Sequence, residues 1–102
     1  MFAVIYRFKV KAERHEQFVS AWKQRTEEIK ANLGGLGSRL HRAREGSFLA
    51  YAQWPDRETW LKAQAGEQPQ SEPSRLLRES CLEIETLFEL ELLADLLEKF
   101  ES

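Results

Sequence analysis

Histidine and cysteine are the residues best able to carry chemistry, and this chain has only three of them. His15, His41 and Cys81 lack the spacing of a metal-ligand set, so we expect no metal site. Ser38 and His41 would point to opposite faces of one strand, which excludes a serine–histidine–acid arrangement. Gly34-Gly35 follows a helical pattern instead of opening a helix, so no phosphate- or dinucleotide-binding loop is indicated.

The chemistry that remains is that of a pocket with aromatic walls and a few polar groups. The aromatic candidates are Tyr6, Trp22, Tyr51, Trp54, Trp60 and Phe88. The polar candidates are Arg7, Arg39, His41 and Gln53. An imidazole exchanges a proton near neutral pH, so His41 is the candidate general base, with a half-exposed structural residue as the alternative. Packing is the alternative for Tyr51 and Trp60, because large aromatic side chains routinely fill small cores.

The elements that must position these residues begin with a strand over residues 2–11. One of its faces carries Phe2, Val4, Tyr6, Phe8 and Val10. Ala3 and Ile5 begin the other face, so the strand should be interior to a sheet. Residues 13–33 then change to helical spacing, with an apolar stripe made by Phe18, Val19, Trp22, Thr26, Ile29 and Leu33.

A β-hairpin is predicted next. Its strands, 37–43 and 47–54, flank a three-residue loop in which Gly46 can supply the positive φ that such a loop needs. The second strand is apolar on both sides, which again predicts an interior position.

Helical and irregular segments follow the hairpin. Pro55 ends the strand, and Asp56 is predicted to cap a helix over residues 57–65. Residues 66–74, GEQPQSEPS, break all periodicity and predict a polar loop, either a slack connection or a flap over a pocket. A short helix is expected from about Ser74 to Ser80.

The last strand shows the clearest alternation in the chain, over residues 82–92. One face would carry Leu82, Ile84, Thr86, Phe88, Leu90 and Leu92, and the other Glu83, Glu85, Glu89 and Glu91. The acidic face predicts an edge strand protected from stray pairing. The segment that follows, LADLLEKF, has helical spacing.

The order strand, helix, strand, strand, helix, strand predicts an α+β, ferredoxin-like split βαβ fold with a four-stranded antiparallel sheet, in a single domain over residues 1–102. A pocket is expected between the sheet and its helices. Two helices cover only one face of the sheet. Because the central strands are apolar on both faces, their second face must be buried against something other than these helices. A second copy of the chain, a homodimer, is the simplest answer. Candidates to reach across that interface are Leu93, Leu96, Leu97 and Phe100.

Composition narrows the partners and the location. The formal net charge is −2, so nothing indicates a nucleic acid partner. The first residues are too short and too charged for a signal peptide or a membrane span. A single cysteine cannot form an internal disulfide, and we expect a reducing, cytoplasmic location with no membrane contact.

Three segments, FAVIYRFKV, GSRLHR and YAQWPDRETW, resemble the antibiotic biosynthesis monooxygenase family of dimeric α/β barrels. The resemblance implies a homodimer in which two sheets pack face to face. It also implies oxidation of a small phenol- or hydroquinone-like aromatic substrate by dioxygen, with neither flavin nor metal as cofactor. The haem-degrading relatives use an asparagine near the position of Arg7 and a histidine after His41, both missing from this chain, so haem degradation is not implied.

Two other classes stay open. A non-catalytic dimer, structural or binding a small ligand, would fit a short chain without a committed catalytic group. An RNA-binding module of the same strand order is a remote alternative, because Glu45 stands where that module has a basic residue and the net charge is negative.

Overall fold

The central strand of the sheet is β1, Phe2–Val10, which pairs with one strand on each side. The structure, a computed structural model, describes residues 1–66 and 71–98. The other elements are a 3-10 turn at Ala12–Arg14, α1 at His15–Asn32, β2 at Gly37–Arg42, β3 at Phe48–Trp54, α2 at Arg57–Ala65, α3 at Glu72–Glu79 and β4 at Cys81–Glu91. All bounds lie within two residues of the predicted ones.

The strands form one antiparallel sheet in the order β2-β3-β1-β4. This order, with helices connecting β1 to β2 and β3 to β4, is the ferredoxin-like arrangement. The predicted α+β fold class is therefore confirmed. The strands with apolar residues on both sides, β1 and β3, are the two interior ones, as the sequence indicated.

The helices cover one face of the sheet, where the buried side chains form two adjoining clusters. The first cluster consists of Phe2, Val4, Trp54 and Trp60, and the second of Phe8, Phe18, Phe48 and Ala50. Tyr6 packs against both of them. We call this the helix face. The opposite face, which carries Ala3, Ile5, Arg7 and Lys9 of β1, is called the free face.

The hairpin loop and the cap of α2 follow local sequence chemistry. Gly46 has a φ of 101°, and its backbone N–H donates to the carbonyl of Ala43 at 3.0 Å. Asp56 Oδ1 accepts from the backbone N–H and the hydroxyl of Thr59, each at 2.8 Å. Both predictions, the glycine turn and the aspartate cap, are confirmed.

A β-bulge in β4 overturns the predicted alternation of that strand. Thr86 pairs with Tyr6, whereas Phe88 pairs with Ile5, so Leu87 is an extra residue between them. Residues directly opposite each other share a face, so Thr86 lies on the helix face and Phe88 on the free face. The prediction of one continuous apolar face from Leu82 to Leu92 is therefore wrong.

The helical prediction for the segment after β4 is also wrong. Residues 92–98 form no helix, and the chain continues from β4 with the N–H of Leu92 donating to the carbonyl of Met1 at 3.1 Å. Leu93, Leu96 and Leu97 are 89%, 95% and 79% exposed, so no apolar surface of the chain itself covers them. A short segment whose apolar side chains are not buried gains too little free energy from packing to remain helical. Phe100 lies outside the described residues.

Phe18→Ala should lower the free energy of unfolding by about 3–5 kcal/mol, because the ring is fully buried against Phe8 and Phe48. Trp22→Ala should lower it by less, since Trp22 is only half-buried. Urea unfolding followed by circular dichroism measures both. An equal or larger loss for Trp22→Ala would contradict the assignment of Phe18 as the anchor of α1.

Candidate functional site

A cavity is present between sheet and helices, as predicted: a cleft of about 210 Å³ between the helix face and the three α-helices. Its floor is formed by Tyr6, Phe8, Ala50, Ala52, Trp54 and Ile84. Its walls are formed by Trp22, Arg25, Thr26, Ile29 and Leu33 of α1, Ala63 and Gln64 of α2, and Ser74, Leu77 and Arg78 of α3. Gly35, Gly37, Ser38 and Gln53 complete the lining. We call this site the helix cleft.

Some of the predicted site residues do meet at the helix cleft. Tyr6, Trp22 and Trp54 line it directly. Trp60 lies behind Tyr6, with its Nε1–H donating to Tyr6 Oη at 2.8 Å. Gln53 borders the cleft, but its side-chain amide donates to Tyr51 Oη at 3.4 Å.

The other predicted site residues lie on the free face: Arg7, Arg39, His41, Tyr51 and Phe88. Successive residues of a strand alternate between faces, and the register places Arg39 opposite Tyr51. Their placement in one pocket with Tyr6 is therefore wrong. The catalytic role of His41 stays a prediction, because its exposed side chain could reach only a molecule bound on the free face.

Arg7 already has a partner on the free face. Its Nη2–H donates to Glu85 Oε1 at 2.8 Å, and Lys9 forms a parallel ion pair with Glu83 at 3.2 Å. The hydrogen bond and the attraction between the charges lower the pKa of Glu85 and raise the pKa of Arg7. An acidic ligand at Arg7 would thus have to displace a carboxylate that is already bound.

Tyr6 is the one tyrosine among the described residues that line the cleft. Its hydroxyl accepts the hydrogen bond from Trp60, so the O–H hydrogen stays available to donate. Burial raises the pKa of Tyr6, and the hydrogen bond from Trp60 opposes part of that rise. Tyr6 therefore presents a neutral hydrogen-bond donor at physiological pH.

Trp54 and Gly35 lie together at one end of the cleft. Trp54 is 3% exposed, and its Nε1–H has no hydrogen-bond partner among the described residues. At Gly35, a β-carbon would lie 2.6 Å from Cγ2 of Ile29 and 3.7 Å from Cη2 of Trp54. A larger residue at position 35 would therefore collide with the α1 wall beside the indole.

Several lining residues were missed by the sequence analysis, chiefly Arg25 of α1 and Ser74, Leu77 and Arg78 of α3. Ser74 and Arg78 are four residues apart, which places them on one side of a helix. That spacing was the available signal. It was not used because all the polar candidates were taken from predicted strands. The helix itself is present and begins at Glu72, capped by the hydroxyl of Ser71.

The charges in the cleft are all positive within the described part of the chain. Arg25 and Arg78 line the cleft, and no histidine or carboxylate described does so. Over residues 1–66 and 71–98 no group of three or more His, Cys, Asp or Glu side chains could hold a metal ion. No helix in those ranges has the length and apolar character needed to cross a lipid bilayer.

The fold and cleft define a class, the ferredoxin-like α+β proteins with an aromatic-lined cavity between sheet and helices. A model of the antibiotic biosynthesis monooxygenase family matches residues 1–70. The chain belongs to the antibiotic biosynthesis monooxygenase family, as the resemblance in its sequence indicated. Comparison with curated proteins finds no match.

Solved structures agree with this fold. SnoaB, a cofactor-independent oxygenase from Streptomyces nogalater, superposes with a TM-score of 0.69 at 28% identity, covering 95% of this chain and 97% of that one. A Bordetella bronchiseptica protein with the family's name gives a TM-score of 0.73 at 18% identity, covering 91% and 97%. One from Deinococcus radiodurans, also with that name, gives 0.73 at 12% identity, covering 97% and 99%.

Tyr6 should ionise only above the ordinary phenol value near 10, because the cleft disfavours the phenolate. The chain has two tyrosines, so in a Tyr51→Phe variant the phenolate absorbance reports on Tyr6 alone. An alkaline titration of that variant measures the midpoint, and the same titration in urea gives the unfolded reference. A folded midpoint at or below the urea midpoint would contradict the placement of Tyr6.

Proposed function

We propose that this protein is a cofactor-independent oxygenase that binds a small phenol or hydroquinone in the helix cleft. The observation that carries the proposal is the neutral hydroxyl of Tyr6, fixed by Trp60 and facing an otherwise mostly apolar cleft. Support also comes from the similarity to SnoaB, a cofactor-independent oxygenase, at 28% identity.

The cleft suits an aromatic ring with one polar edge. Trp22 and Ile29 of α1 and Ala52 of β3 offer apolar contacts to the ring. The substrate hydroxyl would then lie against Tyr6, the one hydroxyl on the floor that already has a fixed orientation. Burial of the ring removes water from around the reacting carbon.

The reaction needs no electron source beyond the substrate. A phenol loses its proton, and the resulting anion transfers an electron to dioxygen. The two radicals combine at a ring carbon to give a peroxide, which loses water and leaves a carbonyl group. One oxygen atom of dioxygen thus enters the ring, the other leaves as water, and the substrate has lost two hydrogen atoms.

Tyr6 acts in this scheme by stabilising the anion. Its hydroxyl donates to the substrate oxygen, and that hydrogen bond strengthens as negative charge develops there. The raised pKa of Tyr6 keeps the donor protonated throughout the pH range in which the substrate ionises.

The proton released by the substrate goes to bulk water, since no described residue lining the cleft is a histidine or a carboxylate. The rate should then rise with pH through the pKa of the substrate. A histidine base would instead give a rise through roughly pH 6–7 that is the same for every substrate. The pH profile therefore separates the two mechanisms.

Tyr6→Phe should lower the rate of oxygen consumption with 1,4-dihydroxynaphthalene about 100-fold, because it removes the donor to the anion and keeps the ring. An oxygen electrode measures the uptake, with the spontaneous oxidation of the naphthalene subtracted. Replacing the substrate by a more acidic, chlorinated analogue should move the pH profile to lower pH.

His41→Ala is the matched control for this experiment, since the side chain is exposed on the free face. Unchanged uptake is expected. A loss in His41→Ala with full activity in Tyr6→Phe would instead support the histidine as base and overturn the role given to Tyr6.

Binding without catalysis is the second candidate, favoured by the same absence of a histidine or carboxylate from the described lining. In that case naphthol-type ligands would bind in the cleft, while oxygen uptake would not exceed the spontaneous rate. Binding measured by calorimetry beside uptake measured by the electrode distinguishes a carrier from an enzyme.

The free face supports a homodimer as the working form. Its apolar side chains are Ala3, Ile5, Leu49, Tyr51, Phe88 and Leu90, and Phe88 is 61% exposed in the single chain. Exposed apolar surface of this kind is typical of an interface. Leu93, Leu96 and Leu97, which follow β4, are also exposed. This segment begins beside Met1, whose carbonyl accepts a hydrogen bond from the N–H of Leu92. We infer that two copies pack free face to free face.

Phe88→Lys should convert the dimer to a monomer without unfolding it, because the charge would be buried in the interface while the helix face stays intact. Sedimentation velocity at micromolar concentration measures the change. Leu61→Lys is the control, since Leu61 is a 40% exposed leucine on α2, away from the free face. A wild-type chain that sediments as a monomer would contradict this assembly.

A further inference from the structure

We propose that the ligand of the helix cleft carries an anionic group, and that Arg78 of α3 binds it. This inference rests on the proposed function, because it takes the cleft as the binding site for an aromatic substrate. It adds a residue that lies beyond residues 1–70, the range matched by the family model.

Among the described residues Arg78 has no acidic partner, because the charges beside it on α3 pair with one another. Arg75 forms ion pairs with both Glu72 and Glu79, on either side of it along the helix. No carboxylate oxygen of the described residues lies within 4.0 Å of Arg78, although α3 itself carries two glutamates. The acidic groups nearest in sequence are thus engaged elsewhere.

The second arginine of the cleft differs in this respect. Arg25 donates to Glu28 Oε1 at 3.2 Å, and the same oxygen accepts from the hydroxyl of Ser71 at 2.8 Å. The charge of Arg25 is therefore balanced inside the wall of the cleft. Arg78 remains the one charged group of the described lining whose charge has no counterpart.

The surroundings of Arg78 suit a ligand with an apolar body and a charged end. Ser74, one turn earlier on α3, and Leu77, the residue before Arg78, line the cleft with it, and Ser74 is 8% exposed. No described residue hydrogen-bonds to the hydroxyl of Ser74. This side of α3 therefore offers a guanidinium, a free hydroxyl and an apolar contact next to one another. A carboxylate could accept from both polar groups while its ring contacts Leu77.

Arg78 is exposed to solvent and also lines the cleft, so an anion can reach it from solution, and its positive charge raises the local concentration of anions at the cleft. An arginine also fits a carboxylate with two parallel hydrogen bonds, which fixes the orientation of the ligand. The same contact would turn the phenol end of the ligand toward the floor of the cleft.

The test compares two probes that share ring and hydroxyl, 2-naphthol and 6-hydroxy-2-naphthoic acid. At neutral pH only the second carries a negative charge. Isothermal titration calorimetry should show the acid binding to the wild-type protein about 10-fold more tightly or better. Arg78→Met should remove this preference and leave the affinity for 2-naphthol unchanged, while Arg78→Lys should keep part of it.

Arg44→Met is the matched control, because it removes the same charge from the exposed hairpin loop and should keep the full preference. Equal binding of both probes to the wild-type protein, or a preference that survives Arg78→Met, would overturn the inference and leave the proposed function standing. Binding of neither probe would overturn both. Circular dichroism of each variant shows that the fold is retained.

Discussion

The two hydrogen-bonded edges of β1 are the constraint on which the other features depend. β1 pairs with β3 on one side and with β4 on the other. Each residue of β1 therefore determines on which face of the sheet the paired residues of β3 and β4 lie. Val4 is fully buried, and Tyr6 lies two residues further on the same face. The clusters under the helices and the floor of the cleft are built from this one face. The opposite face of β1, which begins with Ala3 and Ile5, is covered by none of the described helices, and the homodimer proposed above would bury it.

Most of the fold could be predicted from the sequence because its signals are local. Alternation in β1, the glycine turn at Gly46 and the cap at Asp56 each act within a few residues, and each fixes one element. Their order then leaves the ferredoxin-like arrangement as the natural fold. The family resemblance pointed the same way.

The site was predicted less well because it depends on register, a property of strand pairs. The alternating sequence of β4 does not predict the bulge at Leu87, yet the bulge places Phe88 on the face opposite the cleft. His41 and Arg39 were grouped with Tyr6 by residue type, although strand alternation already separated them from the helix face. Arg78 was missed because all the polar candidates were taken from strands, and because the ion pairs of Arg75 with Glu72 and Glu79 are seen only in the folded helix.

The place of β4 at the end of the described chain has a consequence for folding during synthesis. β1 is made first, but its second edge is completed only by residues 81–91, and Arg7 meets a partner 78 positions away. Until those residues leave the ribosome, β1 presents a bare edge and an apolar face together. Such long-range pairing is slow to form. The nascent chain therefore passes through a stage in which the central strand of its sheet is open to other chains, a natural point for a chaperone to act.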